Sequence, residues 1–366
     1  MATQTINFLP SSFFLLPSAF FHTTNYLTVM TFARRYLLRT FGLTAIGTQL
    51  LPIAQNNLLS KSAIEPRRLQ VGDTVALINP AAFNYEKEVQ QFFKVLDNLG
   101  LKVKLGEHFY DRYGYLAGKD ADRAADVNAA FADDSVQAIF TGMGGWGCGR
   151  ILPLLDYNII RNNPKIIMGF SDITALLLAI HAKTNIVTFH GPLGVSSWSP
   201  FTVDYVKKVL FDGGSVTMQN SKSMPVETIR RGTARGKLIG GNLSVISTLI
   251  GSAYLPDWEN SILFVEEVSE EVYRIDRMLT QLQLAGILDK ISGFVFGQCT
   301  KCEAEKPQES LTLSQVLTDR IRPLNIPAWY GSMVGHIRDK FTLPIGKEVE
   351  IDATAGTIKL LSSAVS

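Results

Sequence analysis

Three short segments, far apart in a chain of 366 residues, put a hydroxyl, a carboxylate and an imidazole where chemistry could use them. The first is KIIMGFSDITALLLAIHAKT, Lys165–Thr184, in which an apolar run meets a glycine, then Ser171 and Asp172, then a second apolar run. Strand, glycine, serine, helix is the local order of a nucleophile elbow, a sharp turn that holds a hydroxyl clear of the backbone. The G-x-S-x-G pattern is incomplete, because Ile173 replaces the second glycine. Capping of the helix by Ser171 or Asp172 is the simpler account of this segment taken alone. The second segment is LFVEEVSEEVYRIDRMLTQL, where Glu266 ends an apolar strand. A carboxylate there is costly unless it is paired or used, and a salt bridge to Arg274 or Arg277 would satisfy it. The third is GSMVGHIRDKFTLPIG, where His336 follows a glycine in a polar turn between two β-like segments. An imidazole on such a loop can reach another domain, although a lone loop histidine is more often structural or solvated.

The other histidines are few. His22 lies in the N-terminal extension, His108 in a loop beside aromatic residues, and His181 inside a helix; His190 ends a strand near the presumed active edge. A fourth segment, TGMGGWGCG, Thr141–Gly149, allows close backbone approach and offers free N–H groups. It matches neither a P-loop nor a dinucleotide fingerprint and serves equally well as a tight turn. No H-E-x-x-H or comparable cluster supports metal-dependent hydrolysis, so no metal or other cofactor is expected.

These residues need a scaffold, and the pattern supplies one. From Leu69 onward, short apolar runs alternate with helical periodicity. Strands are expected at Asp73–Asn79, in KVKLG, VQAIFTG and KIIMG, and in IVTFHGP. Helices are expected in YEKEVQQFFKVLDNLG, DADRAADVNAAFAD, GRILPLLD and DITALLLAIHAKT. Such alternation predicts an α/β fold with a parallel sheet covered on both faces, and ligands in such sheets sit beyond the strands' carboxyl ends. Residues of about 197–232 read as a connector of mixed character. A second unit follows to about residue 362, with helix core positions at Ile275, Met278, Leu279 and Leu282 and a β-rich end.

Composition narrows the function. The net charge of +2 and the lack of a basic run argue against a nucleic-acid partner. Cys299 and Cys302 form C-x-x-C without a second pair or a nearby histidine, and are expected to be two nearby thiols in a loop. Residues 1–67 differ from the rest, with Glu65 the first acidic residue. Within them, Met30–Ala54 carries Arg34-Arg35, then an apolar stretch and small residues, and resembles a twin-arginine export signal. A periplasmic location is therefore expected, with a cytoplasmic one as the alternative. No segment after residue 68 has the length and apolarity of a membrane span.

Taken together and in order, GGWG, GFSDITALLLAIHAKTNIVTFHGP, GKLIGGNLSVISTLIG, ILFVEEVSEEVYRIDRMLTQL and VGHIRDKFTLPIG resemble the LD-carboxypeptidase family of serine peptidases, also called muramoyl-tetrapeptide carboxypeptidases. The resemblance covers about residues 69–361. It implies a Rossmann-like N-terminal domain (68–196) bearing the nucleophile Ser171. A β-rich α/β C-terminal domain (233–362) would bear Glu266 and His336, with the active site between them. His336 is then the general base and later the acid, and Glu266 orients it. Glu267 is set aside, because strand alternation points it to the opposite face. Backbone N–H groups of Gly145 and Asp172 are the expected oxyanion hole. Gly144, Trp146, Tyr273 and Arg274 are expected at the substrate, Arg274 on its terminal carboxylate. The implied reaction hydrolyses the bond between the L-centre of a diamino acid and the terminal D-alanine of a murein tetrapeptide. A homodimer is implied as well. Many relatives carry Arg-Gly-Gly where this chain has Met143-Gly144-Gly145, and Met143 cannot make charge-assisted bonds. Two other readings are a microcin C immunity-type peptidase acting on peptidyl or aminoacyl adenylates, and a muropeptide-binding protein without catalysis.

Overall fold

The computed structural model describes residues 62–366; the segment 30–54, with its twin-arginine pattern, lies outside them. The first half runs β1 (Thr74–Ile78), α1 (Glu86–Asn98), β2 (Lys102–Leu105), α2 (Asp120–Ala132), β3 (Ala138–Thr141), α3 (Cys148–Ile151), α4 (Tyr157–Asn162), β4 (Ile166–Gly169), α5 (Thr174–Thr184) and β5 (Thr188–His190). The second half runs α6 (Pro200–Lys207), β6 (Thr217–Gln219), β7 (Glu227–Arg230), β8 (Thr233–Asn242), α7 (Leu243–Leu249), β9 (Ser261–Val268), α8 (Val272–Leu284), β10 (Gly293–Thr300), α9 (Leu313–Ile321), β11 (Ala328–Tyr330), β12 (Leu343–Ile345), β13 (Glu348–Asp352) and β14 (Thr357–Leu360). Among the described residues no helix is long and apolar enough to cross a membrane.

The first sheet has the order β12-β5-β4-β3-β1-β2, and β1 to β5 are parallel, as the alternating pattern requires. Its inner strands β1, β3 and β4 are almost wholly buried because helices cover both faces. The edge strand β12 is antiparallel and comes from residues 343–345, across the domain division expected from the sequence. The second sheet is mixed, with the order β6-β14-β13-β8-β9-β10-β11-β7 and a parallel centre, β8 to β11. The expected connector, 197–232, supplies both of its edge strands, β6 and β7. GRILPLLD forms a shorter α-helix than expected: α3 ends at Ile151 and Pro153 sits in a 3₁₀ turn, Leu152–Leu154. Proline has no N–H to continue the helix and crowds the preceding turn.

Helix α5 links the two sheets. It is apolar on every side, and all but two of its eleven residues are buried, against β4 and β5 on one side and β8 and α7 on the other. A helix without a polar face is stable only when enclosed in this way, each buried leucine contributing about 2 kcal/mol. At its start the Asn242 N–H, at the end of β8, donates to Thr174 Oγ1 at 3.0 Å. The carboxyl end of the second sheet is thereby fixed beside the turn that carries Ser171.

Candidate active site

Ser171 follows a strand, Glu266 lies near the end of one, and His336 stands on a loop. Ser171 follows β4 through Phe170 and adopts φ +62°, a left-handed conformation uncommon for a residue with a Cβ. Its side chain caps no helix; it turns away into a crevice. The capping account is thus set aside for Ser171, and Asp172 instead accepts a bond from the Cys148 N–H at 2.7 Å. Glu266 is the sixth residue of β9 and wholly buried. His336 lies on the loop between β11 and β12, after Gly335 at φ +115°. A Cβ at Gly335 would lie 2.7 Å from Glu266 Oε2, so only glycine lets this loop pass so close to the carboxylate. The three groups form one chain of hydrogen bonds. His336 Nδ1 lies 2.8 Å from Glu266 Oε2, and His336 Nε2 lies 3.1 Å from Ser171 Oγ. The alternative salt bridges from Glu266 to Arg274 or Arg277 do not form; Arg274 reaches Glu270 instead, at 3.5 Å.

The crevice holds about 570 Å³ and is lined by Gly145, Trp146, Ser171, Asp172, Asn242, Ser244, Glu267, Glu270 and His336 among others. Gly144 lies behind Ser171, a Cβ there lying 3.2 Å from Ser171 Oγ. Trp146 stands exposed at the rim, edge-on to Tyr115. The glycine loop therefore brings Gly144, Gly145 and Trp146 to the serine. Tyr273 and Arg274 are not brought to it: Tyr273 lines a separate hollow with Glu271, Asp276 and Leu311, and Arg274 lies over the Tyr273 ring. Both project from an exposed face of α8, where helical spacing distinguishes core from surface but not one surface from another.

The sequence pattern does not single out Asn242, Ser244, Glu270, Phe170 or Lys340, which the structure places at or behind the crevice. Glu267 points away from His336, as alternation along β9 requires, and accepts from Ser244 N–H at 2.8 Å and Asn242 Nδ2 at 3.1 Å. Burial raises its carboxyl, and burial likewise pushes Asp172 up to about 6. Behind the site the Phe170 ring lies 4.8 Å from His336 and 5.6 Å from His190, with Lys340 Nζ 4.5 Å from its centroid. Burial lowers Lys340 to about 8, against the opposing pull of Glu266. The same strand-end rule that drew attention to Glu266 applies to Asn242, at the end of β8. Elsewhere, His108, Asp111 and Asp122 bring ligand atoms within 4.8 Å of one another, with His108 Nδ1 paired to Asp111 at 2.8 Å.

His190 offers a check on this interior. Burial, the largest effect, drives it down to about 4 from an ordinary 6.5. The folded value is depressed, so the unfolded chain binds more protons between those values, and stability falls as pH drops from about 6.5 toward 4. His190→Gln cannot take up that proton. Urea unfolding of the variant across this range is expected to lose less stability than the parent, by up to about 3 kcal/mol.

A model of the LD-carboxypeptidase N-terminal domain matches residues 75–191, and one of the LD-carboxypeptidase C-terminal domain matches residues 235–351. A probable murein peptide carboxypeptidase of Bacillus subtilis is 38% identical over 307 residues, covering 82% of this chain and 95% of that protein. The chain belongs to the LD-carboxypeptidase family. A murein tetrapeptide carboxypeptidase of Pseudomonas aeruginosa is 29% identical, covering 76% of this chain and 92% of that one. Among solved structures, the microcin C7 self-immunity protein MccF with glutamyl sulfamoyl guanosine superposes with a TM-score of 0.76 at 27% identity, over 82% of this chain and 99% of that one. A muramoyltetrapeptide carboxypeptidase from Oxalobacter formigenes gives 0.69 at 28% identity, over 78% of this chain and 97% of that one. As an LD-carboxypeptidase family member the chain is a carboxypeptidase, and the α/β fold expected from its sequence is the one observed. The pairing of Cys299 with Cys302 departs from the expected free thiols: the two are joined by a disulfide across the turn that ends β10.

Proposed function

We propose that the chain is a serine LD-carboxypeptidase that releases D-alanine from murein tetrapeptides, with Ser171 as nucleophile, His336 as base and acid, and Glu266 as its orienting carboxylate. The observation that carries this is the unbroken relay Ser171–His336–Glu266, with contacts of 3.1 and 2.8 Å, at the wall of an open crevice. A serine hydroxyl is a weak nucleophile until a base takes its proton. His336 Nε2 is placed to do so, and its Nδ1–H donates to Glu266, which fixes the tautomer. Ser171 Oγ attacks the carbonyl carbon of the diamino acid's L-centre. The oxygen that gains charge is met by the backbone N–H groups of Gly145 and Asp172, each worth about 3 kcal/mol in such a role. His336 then passes its proton to the departing D-alanine amine, and water resolves the acyl-enzyme by the same steps in reverse. Met143, half-buried beside Gly144, leaves the loop's hold on substrate to backbone groups and Trp146.

Purified residues 62–366 are expected to release D-alanine from L-Ala-γ-D-Glu-diaminopimelate-D-Ala, read by amino-acid analysis. The likeness to MccF makes an aminoacyl sulfamoyl adenosine the proper competitor substrate. Turnover of that compound and not of the tetrapeptide would move the assignment to the immunity-type reading, and binding of the tetrapeptide without turnover to the non-catalytic one.

The active form in this reading is a periplasmic homodimer. The Arg34-Arg35 segment supports export, and so does the Cys299–Cys302 disulfide, since disulfides persist in oxidising compartments. Cell fractionation and light scattering test these two points; a cytoplasmic or monomeric active protein would overturn the corresponding one.

A further inference from the structure

We infer that Thr300, gripped by the Cys299–Cys302 disulfide, is a positioning residue for His336, and that the thiol–disulfide state of this pair sets the catalytic rate. The inference rests on the assignment of His336 as the base. Thr300 is the last residue of β10, and it ties together the two walls that supply the base and its carboxylate. Its Oγ1 donates to the His336 carbonyl oxygen at 3.1 Å. Its own carbonyl accepts the Ser269 N–H at 2.8 Å, on the stretch that continues from Glu266 and Glu267 and lines the crevice. Along the strand, Cys299 stands in register with Glu267 and Thr300 with Val268. Two residues back, the Gln298 N–H donates to Val334 O at 2.9 Å, and a Cβ at Gly297 would lie 2.6 Å from that same oxygen. The end of β10 is therefore the bed on which residues 334–336 rest, and Thr300 is its side-chain grip on the peptide of His336.

The disulfide holds that grip closed. It spans only Thr300 and Lys301, and Lys301 takes φ +57°, a left-handed conformation unfavourable for a long side chain. With the bond intact the turn has no freedom to relax. Transfer of two electrons and two protons from a dithiol cleaves the S–S bond, gives two cysteine thiols and leaves the dithiol as its own disulfide. Cys302 is buried, but Cys299 is half-buried and Lys301 exposed, so a small dithiol attacks from the Cys299 side. Once it opens, Lys301 can return to the right-handed region and carry Thr300 away from His336. Displacement of a catalytic group by about 1 Å costs on the order of a hundredfold in rate. Cys299, Thr300, Lys301 and Cys302 do not line the crevice, so the effect falls on kcat more than on KM.

The test compares kcat and KM for the oxidised protein, for the protein after dithiothreitol, and for Thr300→Val and Thr300→Ser. Mass spectrometry of alkylated protein reports the state of the pair, with the buried Cys148 as internal control. Thr300→Val is expected to lower kcat about ten- to a hundredfold with KM little changed and a melting temperature near that of the parent. Thr300→Ser, which keeps the hydroxyl, restores the rate. Reduction lowers kcat of the parent severalfold, reversibly on reoxidation, and has no further effect on Thr300→Val. Parental kcat in Thr300→Val, or a reduced protein that melts earlier yet turns over at the same rate, would overturn the inference. The same series is read as the rate of Ser171 modification by a fluorophosphonate, which needs the base but no peptide. A wrong substrate assignment therefore leaves this test intact.

Discussion

Ser171→Ala is expected to lower kcat for D-alanine release by about three to six orders of magnitude while leaving the fold and the binding of tetrapeptide in place. The substitution removes one oxygen from a residue that faces an open crevice and caps no helix, so it strips no structural hydrogen bond except the one to His336. The strained φ of +62° is retained by alanine, so the melting temperature should move by no more than a few degrees. What is lost is the covalent step itself. The residual rate comes from the oxyanion donors and from substrate positioning, which the variant keeps. His336→Ala should cost a similar factor, and the double variant little more than either single one, because the two residues act as one device. Independent, multiplying losses would mean that they serve different steps.

Glu266→Gln is the second large effect. Glu266 is fully buried, and its Oε2 meets His336 Nδ1 while Oε1 has no protein partner. Glutamine keeps the shape but not the charge. It no longer stabilises the imidazolium formed when Ser171 gives up its proton, and its amide can donate to Nδ1, which moves the ring proton to Nε2, where it faces the serine. An exchange of this kind at a serine-peptidase carboxylate costs about four orders of magnitude in kcat, and a similar loss is expected here. Stability should move the other way or not at all, since a buried charge with one unpartnered oxygen is exchanged for a neutral amide. Loss of activity with an unchanged or raised unfolding midpoint in urea is therefore the expected signature. A lowered midpoint with near-parental kcat would make Glu266 a structural residue.

Much of this architecture could be read from residues before any coordinates. The strands that carry Ser171 and Glu266 are short apolar runs ended by polar residues, and burial on both faces leaves that mark on the sequence. Alternation along β9 separates Glu266 from Glu267, and the structure turns them to different partners. Other features leave no local trace. The pairing of Pro344 with Phe189 depends on where the chain returns after 154 intervening residues, about which no period informs. The same holds for the bond from Thr300 to His336. Cys299 and Cys302 carry no pattern that distinguishes thiols from a disulfide, and the left-handed Lys301 between them leaves no mark on the sequence. The position of Tyr273 and Arg274 outside the crevice lining has a related reason. Ile275, Leu279 and Leu282 fix the buried face of α8, but which of its exposed residues meets the crevice is decided by the packing of the whole second sheet.

The most direct measurement of the central claim is mass spectrometry of protein quenched in acid during turnover of the tetrapeptide. The account predicts a peptide containing Ser171 whose mass is raised by the tripeptide acyl group, absent from Ser171→Ala and from His336→Ala. D-alanine release at the full rate with the acyl group on another residue, or in a protein lacking the Ser171 hydroxyl, would contradict it.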